Sequence, residues 1–450
     1  MGGRAPSPST ARRHRWSGPH GRHRWLAVAA TGCVLALVTT ACSGGGSTST
    51  STGAGSKASP GATKAAAGGA ALSITPASGS TNVNPSQGIT VRAAQGRLSH
   101  VTVTTAGGPV SGTLNAAGTV WHSSWALDVS QSYTVTARGA GSSGQPVTRT
   151  STFRTLTPSQ TFTTQIIEGA GQSYGVGMPI ILYFSQHITN RAAVERALQV
   201  QTSRPVVGAW YWDDNCGMAP TCAYFRPQSY WPANTQVSFT GHLNGVEGAP
   251  GVYGHHTLTQ SFTIGDSLIV VASTSSHHMD LYRNGRLFAR WPISTGRPGD
   301  NTPNGTYLTI EKGNPVDMKG PGYNIQVPWS VRFTWSGDYL HDAYWSTGQQ
   351  GFTNVSHGCV NMPPADAQTY YNMEVPGDPV TITGSPRAGT FDNGWTMWFL
   401  PWDRYLRGSA LGQAVKAGPG GSTFVSPSSV SATSATAPLG APNPGNWAAS

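Results

Sequence analysis

Charge is what this sequence has least of. Asp, Glu, Lys and Arg make up 10% of its 450 residues, against roughly 25% in an ordinary soluble domain. That shortage excludes a charged coiled coil and argues against a helix-rich fold, whose surfaces draw on Glu and Lys. The formal excess of +10 is also unevenly placed. Arg4, Arg12, Arg13, Arg15, Arg22 and Arg24 fall in residues 1–41 with no acid among them, and without those six the excess drops to +4. A basic patch for phosphate backbones is thereby excluded, and with it a nucleic-acid partner. Long hydrophobic runs are missing too: the apolar stretch Leu26–Val38 is shorter than the ~20 residues of a membrane helix. What is plentiful is Gly (57) and Pro (32), together with 15 Trp, 15 Tyr and 12 Phe. So many aromatics at so low a charge do not suit wholesale disorder, which needs low hydrophobicity and high charge. The composition predicts a mostly β chain of about three domains with flexible segments at its ends.

The amino terminus reads as an export signal over 1–41. A positive region, Arg12 to Trp25, precedes the apolar stretch, which ends in Val38-Thr-Thr-Ala-Cys42. Small residues directly before a cysteine resemble the bacterial lipobox, although Thr39 stands where that pattern prefers Leu. The resemblance implies that Cys42 is lipidated and becomes the mature first residue, which would make the chain extracytoplasmic and membrane-anchored. Ordinary cleavage beside an incidental cysteine is the alternative. Disulfides persist outside the cytoplasm. Cys216 and Cys222 flank the turn-prone Gly-Met-Ala-Pro-Thr, which predicts a local disulfide, with a two-cysteine metal site as the weaker rival. Cys359 is left unpaired, and a leftover cysteine in an exported chain invites a reactive role.

Residues 42–70 form a Gly/Ser/Thr/Ala tether. Short alternating runs separated by turn residues then predict one immunoglobulin-like β-sandwich over 71–157 and a second over 158–266, the latter with a helix near Asn190–Leu198. A third, β-rich unit spans 267–385. Asn284-Gly285 between two alternating runs is a strong hairpin signal, and Pro364–Met373 is its one main helix, with proline at the start. An aromatic extension follows over 386–410. The remainder, 411–450, is Gly, Pro, Ser, Thr and Ala, and is expected to be disordered.

The chemistry concentrates between His341 and Asn361, where Ser356-His-Gly-Cys-Val-Asn361 sets a cysteine beside a histidine and a glycine. A thiol becomes a strong nucleophile once a base takes its proton, and a small residue before it lets substrate approach backbone N–H groups that hold an oxyanion. One Cys and two His also suit a structural cluster or a metal site, but zinc wants a third or fourth close ligand that is absent here.

The spelling is more specific. Fourteen residues separate His341 from Ser356, and the run resembles the signature of the L,D-transpeptidase (YkuD) family: His, a spacer, then Ser/Thr-His-Gly-Cys-x-Asn. The resemblance covers 267–407, and the preceding modules match the architecture of mycobacterial-type, lipoprotein members. It implies that Cys359 is the nucleophile and His341 the general base, oriented by the carbonyl of Asp342. It further implies that His357 and Ser356 support the nucleophile, that Gly358 and the Cys359 N–H form the oxyanion site, and that Asn361 fixes the strand and contacts substrate. Tyr323 resembles a substrate-site tyrosine on a lid, and Met318 and Trp345 would line the same pocket. The extension Gly394–Trp402 resembles one that packs on the catalytic domain.

The activity implied is acyl transfer from a peptidoglycan tetrapeptide stem through a cysteine thioester. Terminal D-Ala is released and a second stem's diamino-acid amine resolves the thioester to a 3→3 cross-link. No metal or organic cofactor is implied, and carbapenems are expected to acylate Cys359. Rival acceptors are water, giving an L,D-carboxypeptidase, or a protein amine, giving a wall-anchoring transferase. A non-catalytic, lipid-tethered wall-binding protein is a third reading, against which the His341/His357/Cys359 set speaks.

Overall fold

The computed structural model describes residues 72–426, apart from 142, 321 and 322, together with residue 428. The signal region 1–41, Cys42 and the tether lie outside the described residues.

The described chain is mostly β. Its first module pairs two four-stranded sheets, and in the strand Ser132–Ala140 the residues alternate between exposed and buried. The inward set, including Val91, Trp121, Tyr133, Val135 and Phe153, makes its core. This is the expected consequence of period-2 side-chain alternation on a half-buried sheet.

The second module packs a six-stranded sheet and a four-stranded sheet around Trp210, Phe225, Phe239 and their neighbours. Its helix is short, Arg191–Arg196, and Cys216 and Cys222 form a disulfide with Cα atoms 6.3 Å apart. Two of the six strands come from the segment expected to be unstructured. Ala414–Gly418 pairs antiparallel with Val206–Asp213, and Gly421–Val425 pairs with Ala414–Gly418. Val415 and Ala417 enter the core. The expectation of disorder from 411 is therefore corrected as far as 425: Gly418-Pro-Gly-Gly421 is a hairpin turn, and its short strands need only small residues to close the sheet edge. The remainder of the tail, 429–450, lies outside the described residues.

The third unit holds the candidate site. A five-stranded sheet has the order Arg286–Pro292, His278–Arg283, Leu268–Ser273, Pro379–Thr383, Gly305–Leu308. A four-stranded sheet runs Glu311–Gly313, Ser330–Arg332, Tyr339–Asp342, Val360–Met362. One core, with Val270, Leu281, Val380, Leu340, Val360 and Tyr370, joins both sheets to the helix Pro364–Met373. Asn284 and Gly285, with φ of +49° and +79°, make the two-residue turn their sequence predicts.

The aromatic extension packs on the catalytic unit and also beyond it. Phe399 does pack on Tyr307 there, with ring centroids 5.0 Å apart. Trp398 and Tyr405, however, enclose the guanidinium of buried Arg226 in the second module, at 4.3 and 4.2 Å. Trp398 Nε1 donates to Gly177 O and Tyr405 OH to Tyr224 O. A buried cation needs partners, and the extension supplies them through aromatic faces and the Leu400 carbonyl, so it straps the second module to the catalytic unit.

Candidate active site

The two strands that carry the motif are parallel neighbours. Leu340 pairs with Val360 and His341 with Asn361. Cys359 directly precedes the second of these strands, so the parallel pairing sets the cysteine at the end of the sheet beside the His341 strand. His357 lies elsewhere: it is exposed and its ring packs on Tyr323, with centroids 5.0 Å apart.

His341 is buried, and its Nδ1 lies 2.7 Å from the Asp342 carbonyl oxygen. A carbonyl only accepts, so Nδ1 carries the proton and Nε2 keeps its lone pair. Burial pulls the His341 pKa down to about 4, so the ring is neutral at physiological pH. The Asp342 side chain takes no part in this: its Oδ1 is buried without a hydrogen-bond partner.

Cys359 is a free thiol, half-buried, with Sγ 3.9 Å from the Gly337 carbonyl oxygen. Burial, and after it the charge of Asp338, pushes its pKa up to about 12. The resting pair is thus neutral thiol and neutral imidazole, and any thiolate must be made as the base removes the proton.

The turn before the cysteine is built by hydrogen bonds. Ser356 Oγ donates to Cys359 O at 2.6 Å and accepts the Gly358 N–H at 3.2 Å. Thr302 Oγ1 donates to Gly358 O at 2.7 Å. Gly358 has φ +131°, where glycine is favoured, and a Cβ there would stand 2.3 Å from Asp338 Oδ1. Asn361 is buried, pairs through its backbone with Ser294 and donates from Nδ2 to Ser346 Oγ at 2.9 Å. It therefore fixes the strand.

Tyr323 and Met318 stand on the hairpin formed by Val316–Gly320 and Tyr323–Val327, Met318 in register with Ile325. Burial, and after it the acidic groups of Cys359, Asp338 and Asp300 in their ionised forms, raises the Tyr323 pKa. Trp345 is exposed and stacks on the His341 ring at 5.8 Å.

Asp338 was not foreseen. It is buried, and its Oδ2 accepts from Thr334 Oγ1 (2.8 Å) and Ser336 Oγ (3.2 Å). The only hint in the sequence is an acid at a Ser-Gly-Asp turn three residues before His341, in a chain with few acids. Thr302, which holds the Gly358 carbonyl, offers no signal at all.

Comparison with known proteins gives the family. Residues 267–382 match the family model described as L,D-transpeptidase catalytic domain, and residues 80–247 match a bacterial Ig domain. Over 336 residues the chain is 33% identical to L,D-transpeptidase 2 of Mycobacterium tuberculosis (strain CDC 1551 / Oshkosh), spanning 72% of this chain and 80% of that protein. The chain belongs to the L,D-transpeptidase family. L,D-transpeptidase 5 of Mycobacterium tuberculosis (strain ATCC 25618 / H37Rv) is likewise 33% identical over 334 residues, spanning 72% of this chain and 73% of that one. Among solved structures, LD transpeptidase LdtMt1 in complex with imipenem is 34% identical, with a TM-score of 0.41, and covers 49% of this chain and 97% of its own. The motif His341 to Asn361 lies inside the matched transpeptidase domain.

Proposed function

We propose that this transpeptidase acts on peptidoglycan stem peptides by cysteine acyl transfer and forms 3→3 cross-links. The observation that carries the reading is the His341 ring. Its Nδ1 proton is fixed on the Asp342 carbonyl, which leaves Nε2 its lone pair, and its strand runs parallel to the one that an unpaired cysteine directly precedes.

Nε2 takes the thiol proton as Sγ attacks the carbonyl carbon of the third residue of a tetrapeptide stem. The Gly358 N–H is engaged by Ser356 Oγ, so the Cys359 N–H is the donor this turn offers the oxyanion. Collapse breaks the amide to terminal D-Ala, which leaves with the proton from His341. The side-chain amine of a second stem attacks the thioester, its proton passes to Nε2, and the thiol is restored as the new amide forms. Such positioned proton transfer typically contributes 10²–10⁴-fold. Tyr323, Trp345 and Met318 would bound the donor site, while His357 holds Tyr323 by ring contact.

A relative solved with imipenem supports carbapenems as covalent inhibitors of this chain too. Membrane anchoring through a lipid on Cys42 belongs to the same reading and places the site on the wall side. Intact-mass analysis of the chain after incubation with a carbapenem should show one adduct, absent from Cys359→Ala. An adduct on that variant would refute the nucleophile.

A further inference from the structure

The seam between the two sandwich modules contains a cavity of about 280 Å³, on modules that carry no part of the proposed catalytic machinery. The seam is held by specific contacts. Ser86 Oγ donates to Gly245 O and accepts the Glu247 N–H, both at 3.1 Å. The Trp125 and His242 rings stack at 3.7 Å, only 9° from parallel, and this aromatic pair walls the cavity.

Three features define what the cavity would hold. Its lining contains no Lys or Arg and one acid, Asp128, and burial lowers the His242 pKa, so nothing there favours a phosphate or a carboxylate. The uncharged polar part of the lining is hydroxyl and amide: Thr105, Ser111, Tyr133, Asn244 and Thr257. The adjoining edge strand, Gly108–Pro109, is two residues long and contains proline, so a peptide could not extend the sheet there. A ligand offering several hydroxyl or amide donors on a ring with an apolar face satisfies all three. The volume lies just below the usual range of small-molecule pockets, ~300–1,000 Å³, which suits a single ring.

We propose that this seam cavity binds a neutral N-acetylated amino sugar, so that the sandwich modules grip the glycan strand while the catalytic unit works on its peptides. Only the choice of sugar rests on the function proposed above; the chemistry of the cavity does not.

The test is calorimetric titration of the full chain with an N-acetylglucosamine tetramer. Saturable binding is expected, with Kd at or below about 1 mM. Trp125→Ala should weaken it at least tenfold by removing one ring of the wall. Because Trp125 also holds the seam, a second variant leaves every group in place. Gly107 has no left-handed φ, and a Cβ there points to within 3.6 Å of Asp128 Oδ2. Gly107→Phe should therefore fill the cavity and abolish binding while carbapenem acylation stays at the wild-type rate. No saturable heat from the wild-type chain at roughly tenfold that Kd would overturn the proposal. Wild-type sugar affinity in Gly107→Phe would overturn it as well. Sugar binding lost in Gly107→Phe, in a chain that carbapenems do not acylate, would uphold the cavity and overturn the catalytic reading instead.

Discussion

Gly358→Ala is the most informative substitution near the nucleophile, because the structure fixes where its cost falls. Ordinary van der Waals contact for a Cβ is 3.4–4 Å, and Asp338 Oδ1 would stand at 2.3 Å. One partner must move by about an ångström. Asp338 is held: its carboxylate accepts from Thr334 and Ser336, and its N–H donates to Thr334 Oγ1 at 2.8 Å. The displacement therefore falls on the turn that ends in Cys359. Misplacement of a reacting group by about 1 Å costs on the order of 10²-fold in rate. The φ of +131° adds backbone strain of about 1–3 kcal/mol, enough to lower the thermal midpoint by a few degrees. Stopped-flow or mass-spectrometric acylation by a carbapenem measures the rate, and differential scanning calorimetry measures the midpoint. Adding Asp338→Ala removes the collision but not the φ strain, so the double variant should regain part of the rate, a positive coupling that two independent sites would not show. A Gly358→Ala variant that acylates at the wild-type rate with an unshifted midpoint would refute this reasoning.

Other expectations follow from the same geometry. His341→Ala should lower the acylation rate by roughly 10²–10⁴, whereas His357→Ala should keep a pH-dependent acylation step; stopped-flow rates against pH for both variants decide whether these roles must be exchanged. Burial holds His341 near pKa 4, below the ~6.5 of an unfolded chain, so between those values the unfolded chain binds more protons and stability falls as pH drops. Denaturant titrations should show the wild-type chain losing up to about 3 kcal/mol more than His341→Gln between pH 7 and pH 4; equal losses would mean the histidine is not buried. Glu168, fully buried in the second module, has its pKa raised to about 8 by burial, so its stability contribution is present at low pH and lost as pH rises toward 8. Glu168→Gln should therefore flatten that loss and raise the thermal midpoint at pH 8 in scanning calorimetry. Cys42→Ser should prevent lipid labelling and release the chain from the membrane fraction, as metabolic labelling with a fatty acid would show.

Much of this molecule is legible in one sequence because its signals are local. Period-2 alternation marks the sandwich strands, Asn284-Gly285 marks a hairpin, and Ser356 to Asn361 spells a motif whose last two residues enter a strand paired with that of His341. What escapes the sequence is long-range. Ala414–Gly418 completes a sheet with a strand some two hundred residues earlier, and composition alone makes it look like linker. Arg226 is legible as a charge but not as a buried one, because its aromatic enclosure comes from Trp398 and Tyr405 in a distant segment. Asp338 matters through its contact with Gly358 across two strands, and no spacing rule relates the two. The Cys216–Cys222 disulfide, by contrast, closes a loop short enough to foresee.

The central claim, that a Cys359 thioester is resolved by an amine of a second stem, is tested most directly by tandem mass spectrometry of the products. Purified chain would be incubated with tetrapeptide stems isotopically labelled in the terminal D-Ala. The expected product is a dimer joined through two diamino-acid residues, formed with release of one labelled D-Ala per cross-link and absent with Cys359→Ala. Tripeptide alone, with D-Ala released and no dimer, or any dimer formed undiminished by Cys359→Ala, would contradict it.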